Sequence, residues 1–590
     1  MAIRVAKVVV DTPLSHLDRE FDYEVPDGVE VVVGCRVQVP FAGKQRSGFV
    51  LGIEDEDEPR DGLLPLQRVV SDEPVLAPQI AQLCRKVADH YAGTLQDVLR
   101  FAVPPRHAAV EKAKSAVKEP ELGQAARVLL DEPGGAEFLA ALEAGGRPRA
   151  AWTLVPVFQP EVPWATGMLE AAAASLASGR GALLLVPDNL ALTVLAAAAK
   201  QRFGVGSFVM LSAEQGPSPR YRAFLAAERG VARLVLGTES AVYAPIKDLG
   251  LIAMVDDGND SYANERTPYP HVREVAALRA WQEQAAMLCC GYSRTAEVAR
   301  LVATGWLTSI GHPAATMRQL GPKPQTSIND FAEKVDFTTG WRLPHEVFEV
   351  IRTGLASGPV LIQVPRRESS LGVSQTALEL GKAFPGHKVM VSSATKHLDE
   401  VPHEPALVMA TPGAEPTAYV GYSATVILDV TYTLMRPDLR VDEESLRRWL
   451  KVAALTRPAA DGGTVLLVGN PSERAIQGFM RLDPVGFAER ELADRTAAQL
   501  PPAVRLAQLT GRESALLDAL GMLELPPSAT VRGPWPLPLE EHGPPLSRAV
   551  VTASLPDGAA LSTAMKTMLA MRSARKLPDY VKVEIDPIAV

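Results

Sequence analysis

Two adjacent carboxylates, Asp256 and Asp257, follow the apolar run Leu251–Val255. A run of that length reads as a strand buried on both faces, as in a parallel sheet flanked by helices. Acidic residues at the C-terminal end of such a strand lie at the edge where α/β sheets bind ligands. In nucleoside-triphosphate motors that position carries an Asp for Mg²⁺ and a second carboxylate that prepares water. Such chemistry also needs a phosphate cradle: a Gly-rich turn of backbone N–H groups, a Lys, and a Ser or Thr for the metal. The loop in the corresponding place reads Gln159-Pro-Glu-Val-Pro-Trp-Ala-Thr-Gly167. Pro160 and Pro163 remove donors, Glu161 repels phosphate, no Lys is present, and only Thr166 is of the right type. No GxxxxGK[ST] occurs anywhere in the chain. Asp256, Asp257 and Thr166 therefore read as vestiges. No catalytic or nucleotide-binding residue is expected, and no ATP or Mg²⁺ cofactor.

The elements that must position these residues follow from periodicity and punctuation. Trp152–Phe158, Gly181–Val186, Arg233–Leu236 and Leu251–Val255 read as strands, with an Ala-rich helix over Thr166–Ser178. A second set follows: a helix over Leu343–Ala356, a strand over Pro359–Arg367 and a helix over Ser374–Ala383. Ahead of both, Ile3–Val10, Val29–Val33, Arg36–Pro40 and Gly48–Ile53 read as short strands. Gly28, Gly34 and Gly43 punctuate them as turns, which predicts a small β-rich module closed by a helix over Pro78–Tyr91. The acidic run Glu54–Glu58 reads as a solvated hairpin tip. Residues 113–150 are rich in Ala, Gly and Pro, with one short helix near Gly135–Leu142, and read as a linker. Toward the end an Ala/Met-rich helix spans Gly558–Ala574. The expected class is multidomain α/β, divided into 1–112, 113–150, 151–325, 326–490 and 491–590.

The bulk numbers narrow the function classes. The 590 residues carry 60 Lys+Arg against 69 Asp+Glu, a net charge of −9. Nucleic-acid contact must then come from local patches rather than a polycationic surface. No apolar run approaches the ~20 residues of a membrane span, and no secretory signal pattern opens the chain, so a soluble cytoplasmic protein is expected. The four cysteines, Cys35, Cys84, Cys289 and Cys290, include no CxxC pair. A structural zinc site is therefore not expected, and no metal ligands are assigned. Cys289 and Cys290 should point to opposite faces of one strand.

The stretch Ala232–Tyr262, with Gly237-Thr-Glu-Ser-Ala241 and Leu249-Gly-Leu-Ile-Ala-Met-Val-Asp-Asp257, resembles lobe 1 of the helicase core in the PriA family of bacterial replication-restart helicases. The N-terminal region is similar to the DNA-binding domain of that family in seven ordered segments: Val8–Pro13, Phe21-Asp22-Tyr23, Val25-Pro26, Gly34–Phe41, Glu73-Pro74, Asp89-His-Tyr91 and Leu99–Pro105. Leu500-Pro-Pro502, Arg532-Gly-Pro534 and Val581–Pro587 resemble the family's C-terminal domain. The resemblance implies two RecA-like lobes between these ends, with residues 113–150 standing where the family has a winged helix and too short for more than a remnant of it. It also implies that the N-terminal domain captures the free 3′ end of a nascent strand. Phe21, Asp22 and Tyr23 would line that pocket, the Phe41-Ala42-Gly43 turn would form its other wall, and Lys44 and Arg46 would meet phosphate. The structural alternative is that Phe21 and Tyr23 are strand core and Asp22 caps a turn. At the C-terminus Lys566, Arg572, Arg575, Lys576 and Lys582 form the most basic local patch; Arg572, Arg575 and Lys576 are the candidate duplex contacts, with a solvated helix face as the alternative.

Departures from the family pattern concentrate on chemistry. Asp257 replaces a Glu, the third motif reads Gly291-Tyr-Ser-Arg-Thr-Ala296, and the eight-cysteine module holding two zinc ions is missing after Arg367. A lysine common in the family ahead of Glu73-Pro74 is absent from Leu63-Leu64-Pro65-Leu66. The motor arginine positions are Leu455 and Pro458, and Arg457, one place off, should be turned roughly 100° around a helix. This pattern matches the reduced, actinobacterial-type form of the family. It implies a scaffold that binds stalled forks and D-loops and helps reload the replicative helicase. Helicase-loading machinery and single-stranded DNA-binding protein are the expected protein partners, with a nucleoid-associated location. The alternative is a working ATP-dependent 3′→5′ superfamily 2 DNA helicase.

Overall fold

The computed structural model describes residues 3–56, 62–71, 73–123, 127–327, 343–365, 373–398, 400–538 and 543–589. Its first unit is a six-stranded sheet whose long strands pair antiparallel. Ile3–Val10 sits between Glu20–Glu24 and the thirteen-residue strand Lys44–Glu56. Val8, Val10, Val37, Val39 and Val50 pack together on one face, as period-2 alternation requires. The helix Pro78–His90 covers the other face through Val9 and Phe49.

Val29–Val33, expected as a strand, is a loop: Val29 N–H bonds to Pro26 O (3.1 Å) and Cys35 N–H to Val32 O (3.2 Å). Gly34 bends its end at φ +87°, where an added Cβ would meet Leu76 O at 2.4 Å. Glu54, Asp55 and Glu56 complete the Lys44–Glu56 strand rather than a hairpin tip, and residues 57–58 lie outside the described residues.

A seven-stranded parallel sheet follows, in the order Thr308–Gly311, Arg149–Thr153, Ala286–Gly291, Leu249–Val255, Gly181–Leu185, Leu234–Gly237, Val209–Leu211. Its central strands are buried along their whole length. Alternate residues therefore feed two separate cores. Leu183, Ile252, Met254 and Cys289 face one, and Leu184, Leu251, Ala253 and Cys290 the other. All four cysteines are buried. The Arg149 strand ends at Thr153, short of the expected Phe158, and the next helix begins earlier than expected, at Pro163.

The stretch expected to be a linker is docked on this sheet. The Glu170 carboxylate accepts the N–H groups of Val128, Leu129 and Leu130 (2.6–3.1 Å). Leu129, Phe138 and Leu142 join the core around Trp152.

A six-stranded parallel sheet comes next, in the order Lys323–Ser327, Thr464–Val468, Ala424–Ile427, Val360–Gln363, Ala406–Ala410, Lys388–Ser392. Its Val360 strand is shorter than expected, and Arg366 and Arg367 lie outside the described residues. The chain closes with a four-stranded antiparallel sheet, Thr530–Pro536, Ser547–Ser554, Val504–Gly511, Lys582–Ile585, backed by the helix Gly558–Ala574. This is a β-rich module, two parallel sheets flanked by helices, and a C-terminal α+β unit. Among the described residues, no helix is long and apolar enough to cross a membrane.

Candidate DNA pocket and a closed cleft between the parallel sheets

Asp256 and Asp257 sit where the sequence places them, at the C-terminal end of Leu249–Val255. Asp256 is held at φ +59°, with its N–H on Cys290 O (2.8 Å). Both carboxylate oxygens are occupied: Arg447 Nη1 donates to Oδ1 at 2.8 Å and Oδ2 at 2.7 Å. Lys451 Nζ stands 3.6 Å away. Arg447 belongs to the helix Val441–Ala453 of the second parallel sheet, so the pair bridges the two sheets. Burial alone would raise the Asp256 pKa, but the charges of Arg447 and Lys451 override it and hold it at about 2.

Asp257 is buried and receives Thr295 Oγ1 (2.7 Å) and Arg273 Nη1 (3.1 Å). Burial pushes its pKa up against the pull of Arg273. From there charges alternate across the same boundary. Arg273 reaches Glu297 (3.6 Å), Glu297 pairs with Arg440 (3.3 Å), and Arg440 pairs with Glu443 (3.3 Å), which also meets Arg495 (3.5 Å). Glu443 also accepts the Ala296 N–H at 2.9 Å, from the unit of the seven-stranded sheet.

The stretch leading into the loop that would cradle phosphate is packed on the same boundary. Val155 and Val157 are buried against Tyr422, Leu450 and Ala453 of the second sheet unit. Leu154 N–H bonds to Gly291 O, Val157 N–H to Val155 O, and Phe158 N–H to Thr456 O (2.8–2.9 Å). The Phe158 ring lies so close to Gly421 that an added Cβ would meet it at 2.6 Å. Thr166 lies in the first turn of Pro163–Ala177, half-buried, with its N–H on Val162 O. Its hydroxyl makes no hydrogen bond among the described residues. These residues do not fit a nucleotide–Mg²⁺ complex: the metal carboxylate is filled by a guanidinium, and the loop offers two prolines and a glutamate where a cradle needs N–H groups and a lysine.

The expectation for Arg457 needs correction. The helix ends at Ala453, so Arg457 is not turned around it. Its guanidinium bonds to the carbonyls of Val420, Gly421 and Ser357, within its own sheet unit. The arginines that meet the carboxylates are Arg447 and Arg273, which sequence reasoning missed. A usable signal was the placement of Arg440, Arg447 and Lys451 seven and four residues apart, along one helix face.

The N-terminal residues converge on an open cleft of about 340 Å³ lined by Phe21, Asp22, Tyr23, Phe41 and Leu63-Leu64. Phe21 and Phe41 meet edge to face at 5.0 Å between centroids, and the Arg19 guanidinium lies 4.9 Å from the Phe21 centroid. Ala42 (φ +47°) and Gly43 (φ +74°) make the two-residue turn between the paired Phe41 and Lys44. Positive φ at both central residues is the requirement of a tight hairpin turn. Tyr23 is mainly core: it is 4% exposed, and its hydroxyl donates to Pro40 O at 3.1 Å. Asp22 stands directly across from Lys7, with Nζ at 3.4 Å; the same ammonium reaches Glu54 at 3.2 Å. Gly43, Lys44 and Arg46 are exposed on the turn and following strand, outside the cleft lining.

The C-terminal patch is smaller than its sequence suggests. Arg572 is buried, and its guanidinium donates to the carbonyls of Ala515, Pro578 and Asp579. It braces the fold and is unavailable to phosphate. Lys566 is taken by Asp18 (2.7 Å) and Asp89 (2.8 Å), and Lys582 by Glu584 (2.8 Å). Arg575 and Lys576 remain exposed. Among the described residues no group of three or more His, Cys, Asp or Glu side chains is placed to hold a metal ion.

Comparison with known proteins bears on both ends and on the whole. Residues 7–104 match the model of the PriA 3′ DNA-binding domain, and residues 496–588 match that of the primosomal protein N C-terminal domain. The probable replication restart protein PriA of Mycobacterium leprae is 38% identical, over 98% of this chain and 99% of that one. The protein of the same description from Mycobacterium tuberculosis H37Rv is also 38% identical over the same shares. The replication restart protein PriA of Bacillus subtilis is 35% identical over 18% of this chain and 13% of its own. A solved structure of RecG bound to a three-way DNA junction covers 83% of this chain and 73% of its own at 12% identity, with a TM-score of 0.37. A likeness at that level carries no argument.

Proposed function

This chain belongs to the PriA replication-restart family, and from that premise we propose that it is a fork-binding scaffold without a motor. In this reading it recognises stalled forks and D-loops. The cleft at Phe21, Asp22 and Phe41 takes the free 3′ end, and the exposed Arg575 and Lys576 hold duplex phosphate. Helicase-loading machinery and single-stranded DNA-binding protein are the proposed partners in reloading the replicative helicase. The observation that carries the reading is Arg447 on both oxygens of Asp256. A Mg²⁺ ion would have to displace a nearly buried guanidinium whose own charge stabilises the carboxylate, and residues 159–167 carry no lysine for the phosphates.

An open pocket for a chain end supplies stacking surface and an acceptor for a base edge or hydroxyl. Phe21 with Phe41 offers the first and Asp22 the second. The test measures phosphate release from ATP with forked DNA, beside fork binding by anisotropy. Binding without DNA-stimulated hydrolysis is expected. Hydrolysis above the buffer blank that Asp256→Ala abolishes would overturn the proposal.

A further inference from the structure

A tyrosine ring stands in solvent at the boundary between the seven-stranded sheet unit and the C-terminal unit. Tyr580 is 70% exposed, yet it is held from both ends. Its backbone closes the turn that follows Gly558–Ala574. In that turn Lys576 (φ +52°) and Asp579 (φ +61°) lie in the left-handed region, which non-glycine residues keep only where the surroundings over-determine them. The constraint is the buried Arg572, whose guanidinium donates to Pro578 O at 3.1 Å and Asp579 O at 3.0 Å. Tyr580 O packs on Gly511, where an added Cβ would meet it at 3.0 Å.

The far end of the side chain is engaged across the boundary. The Tyr580 hydroxyl interacts with the hydroxyls of Thr267 and Tyr269, and Thr267 Oγ1 donates to the Tyr269 hydroxyl at 3.3 Å. Tyr269 is itself at φ +60°, and the Lys582 ammonium lies 4.6 Å from its ring centroid. With backbone and hydroxyl both held, what Tyr580 presents to solvent is its ring. A single exposed apolar side chain is ordinary on a surface. One fixed by two units is a prepared stacking surface, because little side-chain freedom remains to be lost on binding.

The surrounding charge selects the ligand. The acids near the ring are engaged: Asp579 meets Arg512 at 3.3 Å, Glu584 meets Lys582 at 2.8 Å, and Asp97 meets Arg100 at 3.4 Å. Arg575 and Lys576, at the head of the same turn, are exposed and make no ion pair among the described residues. An aromatic face beside uncommitted cations fits a polyanion with unpaired bases. Duplex DNA offers the phosphates but keeps its bases stacked on one another.

We propose that Tyr580 stacks an unpaired base of single-stranded DNA, with Arg575 and Lys576 on the flanking phosphates and Arg572 positioning the turn. The proposal rests on the reading of Arg575 and Lys576 as phosphate contacts and extends it from duplex to the single strand at a fork. Thr267 and Tyr269 come from the seven-stranded sheet unit, so the seat is complete only while that unit and the C-terminal unit are docked.

The experiment titrates the full chain into oligo(dT) carrying interspersed 2-aminopurine and closed by a 3′-phosphate, so that the cleft at Phe21 does not contribute. Anisotropy gives the affinity, a blunt duplex is the comparison, and salt is held constant. Stacking quenches 2-aminopurine, so wild type and Tyr580→Phe should both quench it. Tyr580→Ala should bind the strand roughly fivefold or more weakly, with most of the quenching lost, and bind the duplex unchanged. Arg575→Ala/Lys576→Ala should weaken strand and duplex together. If Tyr580→Ala binds and quenches like wild type while the double variant loses affinity, stacking is overturned and the phosphate contacts stand. If the double variant loses nothing on either DNA, the phosphate reading fails and this proposal fails with it.

Discussion

Asp22 and Asp256 are the same side chain in opposite situations. Asp22 lines an open cleft, 28% exposed, across from the lysine of a neighbouring strand at 3.4 Å. Asp256 is 14% exposed and carries a guanidinium on both oxygens at 2.7–2.8 Å. The ammonium at 3.4 Å pairs with a carboxylate that remains partly exposed in the cleft wall. A single guanidinium nitrogen on both oxygens, in a buried setting, takes the positions a metal would need. A retained aspartate is therefore informative about chemistry only together with its counter-ion.

The largest expected effect breaks the closed side. Arg447→Ala leaves Asp256 charged and buried without its main partner, and removing one member of a buried pair costs about 3–5 kcal/mol. Urea unfolding should show that loss, with partial recovery in Asp256→Ala/Arg447→Ala. The pH dependence sharpens the assignment. The folded pKa of Asp256 is depressed to about 2 from 3.8. Its contribution is therefore fully present above pH 3.8 and is lost as the pH falls toward 2, roughly 2 kcal/mol in all. Arg447→Ala should lack that acid-side loss, and an unchanged acid profile would count against the pair as the cause.

On the open side, Asp22→Ala should weaken binding to forks with a nascent 3′ end at the junction by roughly 5- to 150-fold, since losing one buried polar partner costs about 1–3 kcal/mol. Forks without that end, held by phosphate, should change little. All four affinities must be measured at one salt concentration. Equal losses on both forks would reduce Asp22 to a structural role.

Lys7→Met should produce the smallest effect. Exposed ion pairs contribute about 0.2–1 kcal/mol, so 3′-end discrimination should fall by roughly 1.5- to 5-fold with no change in the melting midpoint beyond a degree or two. A loss as large as that of Asp22→Ala would mean that Lys7 touches the DNA itself.

Legibility in the sequence followed the range of the physics. Cys289 and Cys290 were assigned to opposite faces from the period of a strand alone, and they fall in separate cores. The Gly558–Ala574 helix was legible to the residue because its pattern is local. Val29–Val33 was misread because its β-branched composition suits a strand, while the turns at Gly28 and Gly34 leave it no partner. Arg572 was read as exposed because Lys and Arg cluster there. The carbonyl groups that draw it inward come from Ala515 and from the turn at Pro578 and Asp579, and the distant one is invisible to composition.

The sequence by itself determined the α/β class, the buried parallel strands and the lack of a GxxxxGK[ST] motif. Each of these is written in residue type and spacing over a few neighbours: apolar runs, two prolines in a loop, and a missing lysine. Only the tertiary structure decided what meets the two aspartates. Arg447 lies 191 residues from Asp256, and Val155 and Val157 find their partners in a different sheet. Nothing local selects one arginine of a helix over its neighbours. The choice is made when burial of two sheets against each other leaves Asp256 with no water to solvate it, and the nearest guanidinium takes that place.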